Sequence, residues 1–275
     1  QVDSQALDRS KGTLYGLAIG DALGMPSQTL SRTEIAQHYG RIEDFVAPFA
    51  DHPVSHGLSA AQVTDDTEQS LLLARRLLLD PQGFDDLGWA RDLMGWEADI
   101  RARGLRDLLG PSSKAALNAL LEGASPEVTG LQGTTNGAAM RVAPVGITTP
   151  PEPAQIVRRV AMTCRVTHNT GEAIAGASAV AMVVSAGIAG LSFEEAVPLA
   201  LEAARLGQQQ GNQVGERDMA ARIRLALDAA HSVESLAGTV GTSVQSRESV
   251  AAAFGLLRLT GGDGWAAMVL AANSG

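Results

Sequence analysis

Apolar residues recur along this chain mainly at intervals of three and four, the spacing that lines one face of an α-helix rather than one face of a strand. Leu71, Leu72, Leu73, Leu77, Leu78 and Leu79 predict a helix that opens at Val63-Thr64-Asp65-Asp66-Thr67-Glu68 and stops near Asp80, ahead of Pro81 and Gly83. Residues 85–103 repeat the pattern and carry Trp89 and Trp96, read as core aromatics with exposed edges. Further helices are expected at 114–121, 154–164, 192–206, 216–230 and 246–259, and Ser31-Arg32-Thr33-Glu34 reads as the start of a short one. Residues 173–190 have no charge over 18 positions, close to a bilayer-spanning length. Their wealth of Ala, Gly and Ser, with Glu194 and Glu195 soon after, instead predicts a buried central helix.

Gly12, Gly16, Gly20 and Gly24 recur every fourth residue, which places them near one face of a helix at a cost of roughly 1 kcal/mol each relative to alanine. Close approach of another backbone is the expected compensation. Asp21 falls near the C-terminal end of that helix, where its charge opposes the dipole, so it needs a cationic or hydrogen-bonding partner.

Composition narrows the class. The chain has 275 residues, 45% of them apolar but only 4% aromatic, which favours closely packed helices in one all-α domain over residues 1–275. A net charge of −9, with no basic cluster interleaved with aromatics, argues against a nucleic-acid partner. The lone Cys164 excludes an internal disulfide and fits a small buried apolar residue in a reducing compartment. No basic segment followed by an apolar run opens the chain, so a cytoplasmic protein with no membrane partner is expected. Both ends read as cut.

The stretch at 63–68 admits two readings. As a helix start, Asp65-x-x-Glu68 resembles a capping box. As a site, Thr64, Asp65 and Asp66 turn oxygens to one side, where a hard divalent cation such as Mg²⁺ could sit. In residues 130–148, Gly133 and Asn136-Gly137 are places where backbone can take positive φ and present N–H groups to an anion or a sugar, with Met140 and Arg141 following. The alternative is an ordinary glycine-rich turn. Asp107 reads as a loop acid or a catalytic one, and Thr167-His168 as a structural or a catalytic pair. His52 and His56 have helical metal-pair spacing, but Pro53 lies between them and zinc is not favoured.

Taken in order, Gly16 to Gly24 with Asp21, Thr64-Asp65-Asp66-Thr67, Asn136-Gly137-Ala138-Ala139-Met140-Arg141 and Thr167-His168 resemble the ADP-ribosylglycohydrolase family. That resemblance implies an all-α orthogonal multi-helix bundle with two Mg²⁺ or Mn²⁺ ions in a cleft, cleaving the ribose C1 bond of an ADP-ribosylated protein or small molecule. It implies that Thr64, Asp65 and Asp66 are metal ligands, with Asp66 also catalytic and Asp107 the candidate base. Gln28, Asn136, Gly137, Met140, Arg141, Thr167 and His168 become the substrate-binding set, and Asp21 orients the site from behind. Two departures stand out. Gln28 replaces a glutamate that the family often has, and the chain stops at Asn273-Ser274-Gly275, where a second metal-binding motif would follow; Asp263 lies too early to replace it. An N-glycosidase acting on a nucleoside-like substrate, and a catalytically silent binding protein, are the competing readings.

Overall fold

A computed structural model describes residues 3–105 and 109–275, and the regular elements within them are helices. They run α1 (Ser4–Gly24), α2 (Arg32–Tyr39), α3 (Asp65–Leu79), α4 (Asp86–Ala102), α5 (Pro111–Leu121), α6 (Ala143–Ile147), α7 (Pro153–Cys164), α8 (Gly171–Ile188), α9 (Phe193–Gly207), α10 (Met219–Asp228), α11 (Val233–Val240), α12 (Ser246–Leu259) and α13 (Gly264–Ala272). The all-α expectation holds, and most predicted helices fall within a turn of their observed ends.

Local chemistry sets those ends. Ser31 and Ser192 each accept from the backbone N–H three residues on while Glu34 and Glu195 reach back, so α2 and α9 both start with capping boxes. Asp85 and Asp263 cap α4 and α13 through Gly88 N and Ala266 N. Helix α11 was not anticipated, because residues 233–240 complete only two turns of apolar spacing.

Helix α8 is the centre of the bundle. It is the predicted uncharged segment, the one described helix long and apolar enough to cross a membrane by length and composition, yet 72% of that span is buried inside the fold. Its small side chains let neighbours approach: a Cβ at Gly207 of α9 would lie 3.1 Å from both Ala175 Cα and Ile174 O of α8. Around α8 the main core gathers Trp89, Leu93, Val145, Val160 and Met182. Trp89 and Trp96 are 0% and 7% exposed, so the expectation of exposed edges fails: α4 packs its apolar face inward and Trp96 turns its N–H to Glu68 instead of to water. Cys164 is buried as expected, and burial pushes its thiol up to about 11.

The glycine stripe of α1 does not meet another backbone. Cβ atoms at Gly16 and Gly20 would contact only the Met268 side chain of α13, at 3.9 and 3.7 Å, and those at Gly12 and Gly24 would meet nothing within 4 Å. Gly12 is exposed mid-helix. Gly12→Ala is therefore expected to stabilise the fold by about 0.5–1 kcal/mol in urea unfolding, and a loss of stability would show an unseen contact at this face.

Candidate active site

The C-terminal part of α1 meets the N-terminus of α3 through Asp21. Its carboxylate accepts from Thr64 N (2.8 Å), Thr64 Oγ1 (2.6 Å), Thr67 N (3.2 Å) and Thr67 Oγ1 (2.6 Å). A residue on another helix thus does the capping, and Thr64, the N-cap, makes no side-chain cap of its own. The capping-box reading of Asp65-x-x-Glu68 fails for the same reason. Glu68 turns to Trp96 Nε1 (2.8 Å) and Arg103 (3.2 Å), leaving Asp65 and Asp66 free of capping duty.

Those two carboxylates lie against each other. Burial, more than any other cause, raises Asp65 to about 6, and the nearby Asp21 charge adds to it. Asp66 is raised well above its ordinary value by burial, then by repulsion from Asp65 and Asp21. Arg141, the one fully buried guanidinium among the described residues, senses the charge of Asp65 but directs its donors to Gln69 Oε1 (2.8 Å) and Thr167 Oγ1 (2.6 Å). The acidic pair is left short of positive charge.

Opposite stands the loop leading into the 3₁₀ turn at Ala139–Arg141. It is stitched to the start of α12: Asn136 N donates to Val244 O (2.8 Å), Asn136 Nδ2 to Ser249 Oγ (2.9 Å), and Ser246 Oγ to Thr135 O (2.9 Å). Gly133, Asn136 and Gly137 do not have positive φ, contrary to the sequence-based expectation. The glycines are needed for space. A Cβ at Gly133 would overlap the Thr167 carbonyl, and one at Gly137 would sit 2.7 Å from the His168 ring.

Between α1, α3 and this loop opens a cleft of about 590 Å³. Of the predicted residues it brings together Asp21, Gln28, Thr64, Asp65, Asp66, Asn136, Gly137 and Met140. Arg141, Thr167 and His168 are not in its lining. They are 1%, 1% and 0% exposed, so direct substrate contact is corrected to support from behind the wall. Asp107 lies outside the described residues. Thr135 and Ser113 line the cleft and were missed, although a second threonine before Asn136 and the Ser112-Ser113 pair were visible signals.

Gln28 is held in one orientation. Ser55 Oγ donates its hydrogen to Met25 O (2.7 Å), so it accepts from Gln28 Nε2 (2.7 Å), and Gln28 Oε1 is the end left for the cleft. His52 is no metal ligand through Nδ1, which accepts from Val54 N (3.0 Å) and Ser55 N (2.8 Å).

Several known proteins resemble this chain. The family model described as ADP-ribosylglycohydrolase matches residues 3–275. An uncharacterised Escherichia coli protein, YegU, is 34% identical over 98% of this chain and 82% of its own length. The ADP-ribosylarginine hydrolase Tri1 of Pseudomonas putida is 31% identical over 73% of this chain and 52% of its own length. A solved structure titled ADP-ribosylglycohydrolase-related protein complex superposes with a TM-score of 0.70 at 23% identity, covering 99% of this chain and 83% of that one, which supports the fold alone. With the family model spanning nearly every residue and the cleft built from the segments that carry the resemblance, the chain belongs to the ADP-ribosylglycohydrolase family, a family of hydrolases.

Proposed function

We propose that this protein is a divalent-cation-dependent glycohydrolase that cleaves the ribose C1 bond of an ADP-ribosyl compound, with ADP-ribosyl-arginine the first substrate to try. The observation that carries the reading is the pair Asp65 and Asp66: the first buried and the second half-buried, both released from capping by Asp21 and lining a cleft whose far wall is the Asn136-Gly137 turn.

The donor set suits a hard cation. Two carboxylates and the Thr64 hydroxyl supply oxygen only, burial and the nearby Asp21 charge disfavour ionisation of both carboxylates, and Mg²⁺ or Mn²⁺ would keep several coordination positions for water or ligand. Among the described residues no group of three or more His, Cys, Asp or Glu is placed to hold a metal ion, so Thr64, Asp65 and Asp66 would supply part of a coordination shell and water or ligand the rest. Bound there, the cation would polarise the ribose hydroxyls and offset carboxylate charge.

The protein's own groups then have separable tasks. Asp21 holds the α3 N-terminus so that Thr64, Asp65 and Asp66 keep one geometry. Asp66 takes the proton of the attacking water as C1 becomes oxocarbenium-like, and Gln28 Oε1 accepts from a hydroxyl or N–H of the substrate without adding charge. Neutral Gln28 also favours a positively charged leaving group less than a glutamate would, which keeps nucleosides among the substrates to test.

The assay is ADP-ribosyl-arginine, ADP-ribosyl-serine and a nucleoside panel, each with Mg²⁺ and with EDTA. Release of ADP-ribose from an ADP-ribosyl adduct, lost in EDTA and restored by Mg²⁺, is expected. Turnover of nucleosides alone contradicts the reading, and ligand binding without any turnover points to a silent family member.

A further inference from the structure

We propose that the Thr135 hydroxyl is a positioned hydrogen-bond donor to an acceptor oxygen of the bound ligand, its direction fixed by a buried chain that begins at Arg141. The identity of that ligand, an ADP-ribosyl group, rests on the function proposed above.

Donor and acceptor bookkeeping sets the direction. Arg141 can only donate, and its Nη2 lies 2.6 Å from Thr167 Oγ1. Thr167 Oγ1 is 2.6 Å from His168 Nδ1, and His168 Nε2 is 3.0 Å from Thr135 Oγ1. Thr167 is 1% exposed, so its hydroxyl hydrogen needs a protein acceptor, and His168 Nδ1 is the one its contacts provide. The opposite tautomer would give Thr167 two donors and strand its own hydrogen in the core. Nδ1 therefore accepts, Nε2–H donates to Thr135 Oγ1, and the hydrogen of Thr135 remains. The ring is neutral, since burial and the Arg141 charge hold His168 well below its ordinary pKa.

Thr135 delivers that hydrogen to the cleft. It is 4% exposed and part of the lining, and its backbone is fixed on both sides by Ser112 Oγ, which accepts from its N–H (3.4 Å), and Ser246 Oγ, which donates to its carbonyl (2.9 Å). A cation at the head of a hydrogen-bonded chain polarises each member in turn, so the terminal hydroxyl is a better donor than a solvated one. Gly137 makes the arrangement possible, because any Cβ there would meet the His168 ring at 2.7 Å.

Two measurements test the inference. Long-range ¹⁵N–¹H NMR of the unsubstituted protein, with the His168 ring assigned through its backbone, is expected to show Nε2 protonated and Nδ1 as the bare nitrogen; an Nδ1–H signal overturns the proposal. Calorimetry with ADP-ribose in Mg²⁺ is expected to show about tenfold weaker binding for Thr135→Val and recovery to within about twofold for Thr135→Ser. Unchanged affinity in a folded Thr135→Val overturns it as well. The failures are distinguishable: absence of ADP-ribose binding by the unsubstituted protein counts against the glycohydrolase reading, whereas the NMR result judges the chain with or without ligand.

Discussion

Asp65→Asn and Asp66→Asn are each expected to lower kcat/KM for an ADP-ribosyl substrate by at least about 10²-fold while stabilising the metal-free protein at neutral pH. The two effects have one cause. The folded state raises Asp65 from 3.8 to about 6, chiefly by burial, whereas the unfolded chain ionises near 3.9. As pH rises from about 4 to about 6 the unfolded state loses its proton first, so stability in EDTA falls across that window and stays lower above it. For Asp65 the loss is on the order of 2–3 kcal/mol. Asp66 is raised well above its ordinary value and extends the decline in the same direction. Asn at either position removes part of the slope. Mg²⁺ at a hundred times its Kd is expected to return about 2.7 kcal/mol to the unsubstituted protein and much less to the variants. Denaturant titrations at pH 4.5 and 7.5, with EDTA and with Mg²⁺, provide the check. Equal stability of Asp65→Asn and its parent at pH 7.5 in EDTA would mean that the pair is already neutralised and the site needs no cation.

Arg141→Ala is expected to cost about 3–5 kcal/mol through the residues that support the cleft wall from behind. The guanidinium is 1% exposed and lies over the Trp89 ring, 5.3 Å from its centroid. Burial lowers it to about 10, still charged at neutral pH. Truncation would leave a cavity, strand Gln69 Oε1 and remove one donor from Thr167. Arg141→Lys is expected to recover little, because one ammonium lacks the fork that reaches both partners. Urea unfolding of both variants measures this, and a cost under about 1 kcal/mol for Arg141→Ala would show that the core closes without the cation.

What was legible in the sequence was whatever repeats along one helix. The leucines of α3 and the uncharged run of α8 announced themselves by spacing and composition, and helix ends followed where a side chain caps its own backbone, as at Ser31 and Ser192. A partner that comes from a distant segment leaves no such local trace. The need of Asp21 for a partner was evident, but nothing local showed that Thr64 and Thr67, more than 40 residues on, would fill it. The same limit explains Gly133 and Gly137, whose neighbours Thr167 and His168 arrive from another part of the chain: local sequence suggests a conformational role for these glycines, whereas the fold needs them for space. Arg141 was misplaced because an arginine beside a glycine-rich loop suggests an anion site, and only tertiary packing reveals the Gln69, Thr167 and Trp89 that enclose it. The oxygens at 64–66 stand out in the sequence because adjacent carboxylates are costly wherever they are buried, whatever surrounds them.

The account stands on a divalent cation held at the acidic end of α3. Anomalous diffraction from crystals of the protein soaked in Mn²⁺ addresses it directly. A peak within coordination reach of the oxygens of Thr64, Asp65 and Asp66 is the expected result; a clean map there at neutral pH would contradict it.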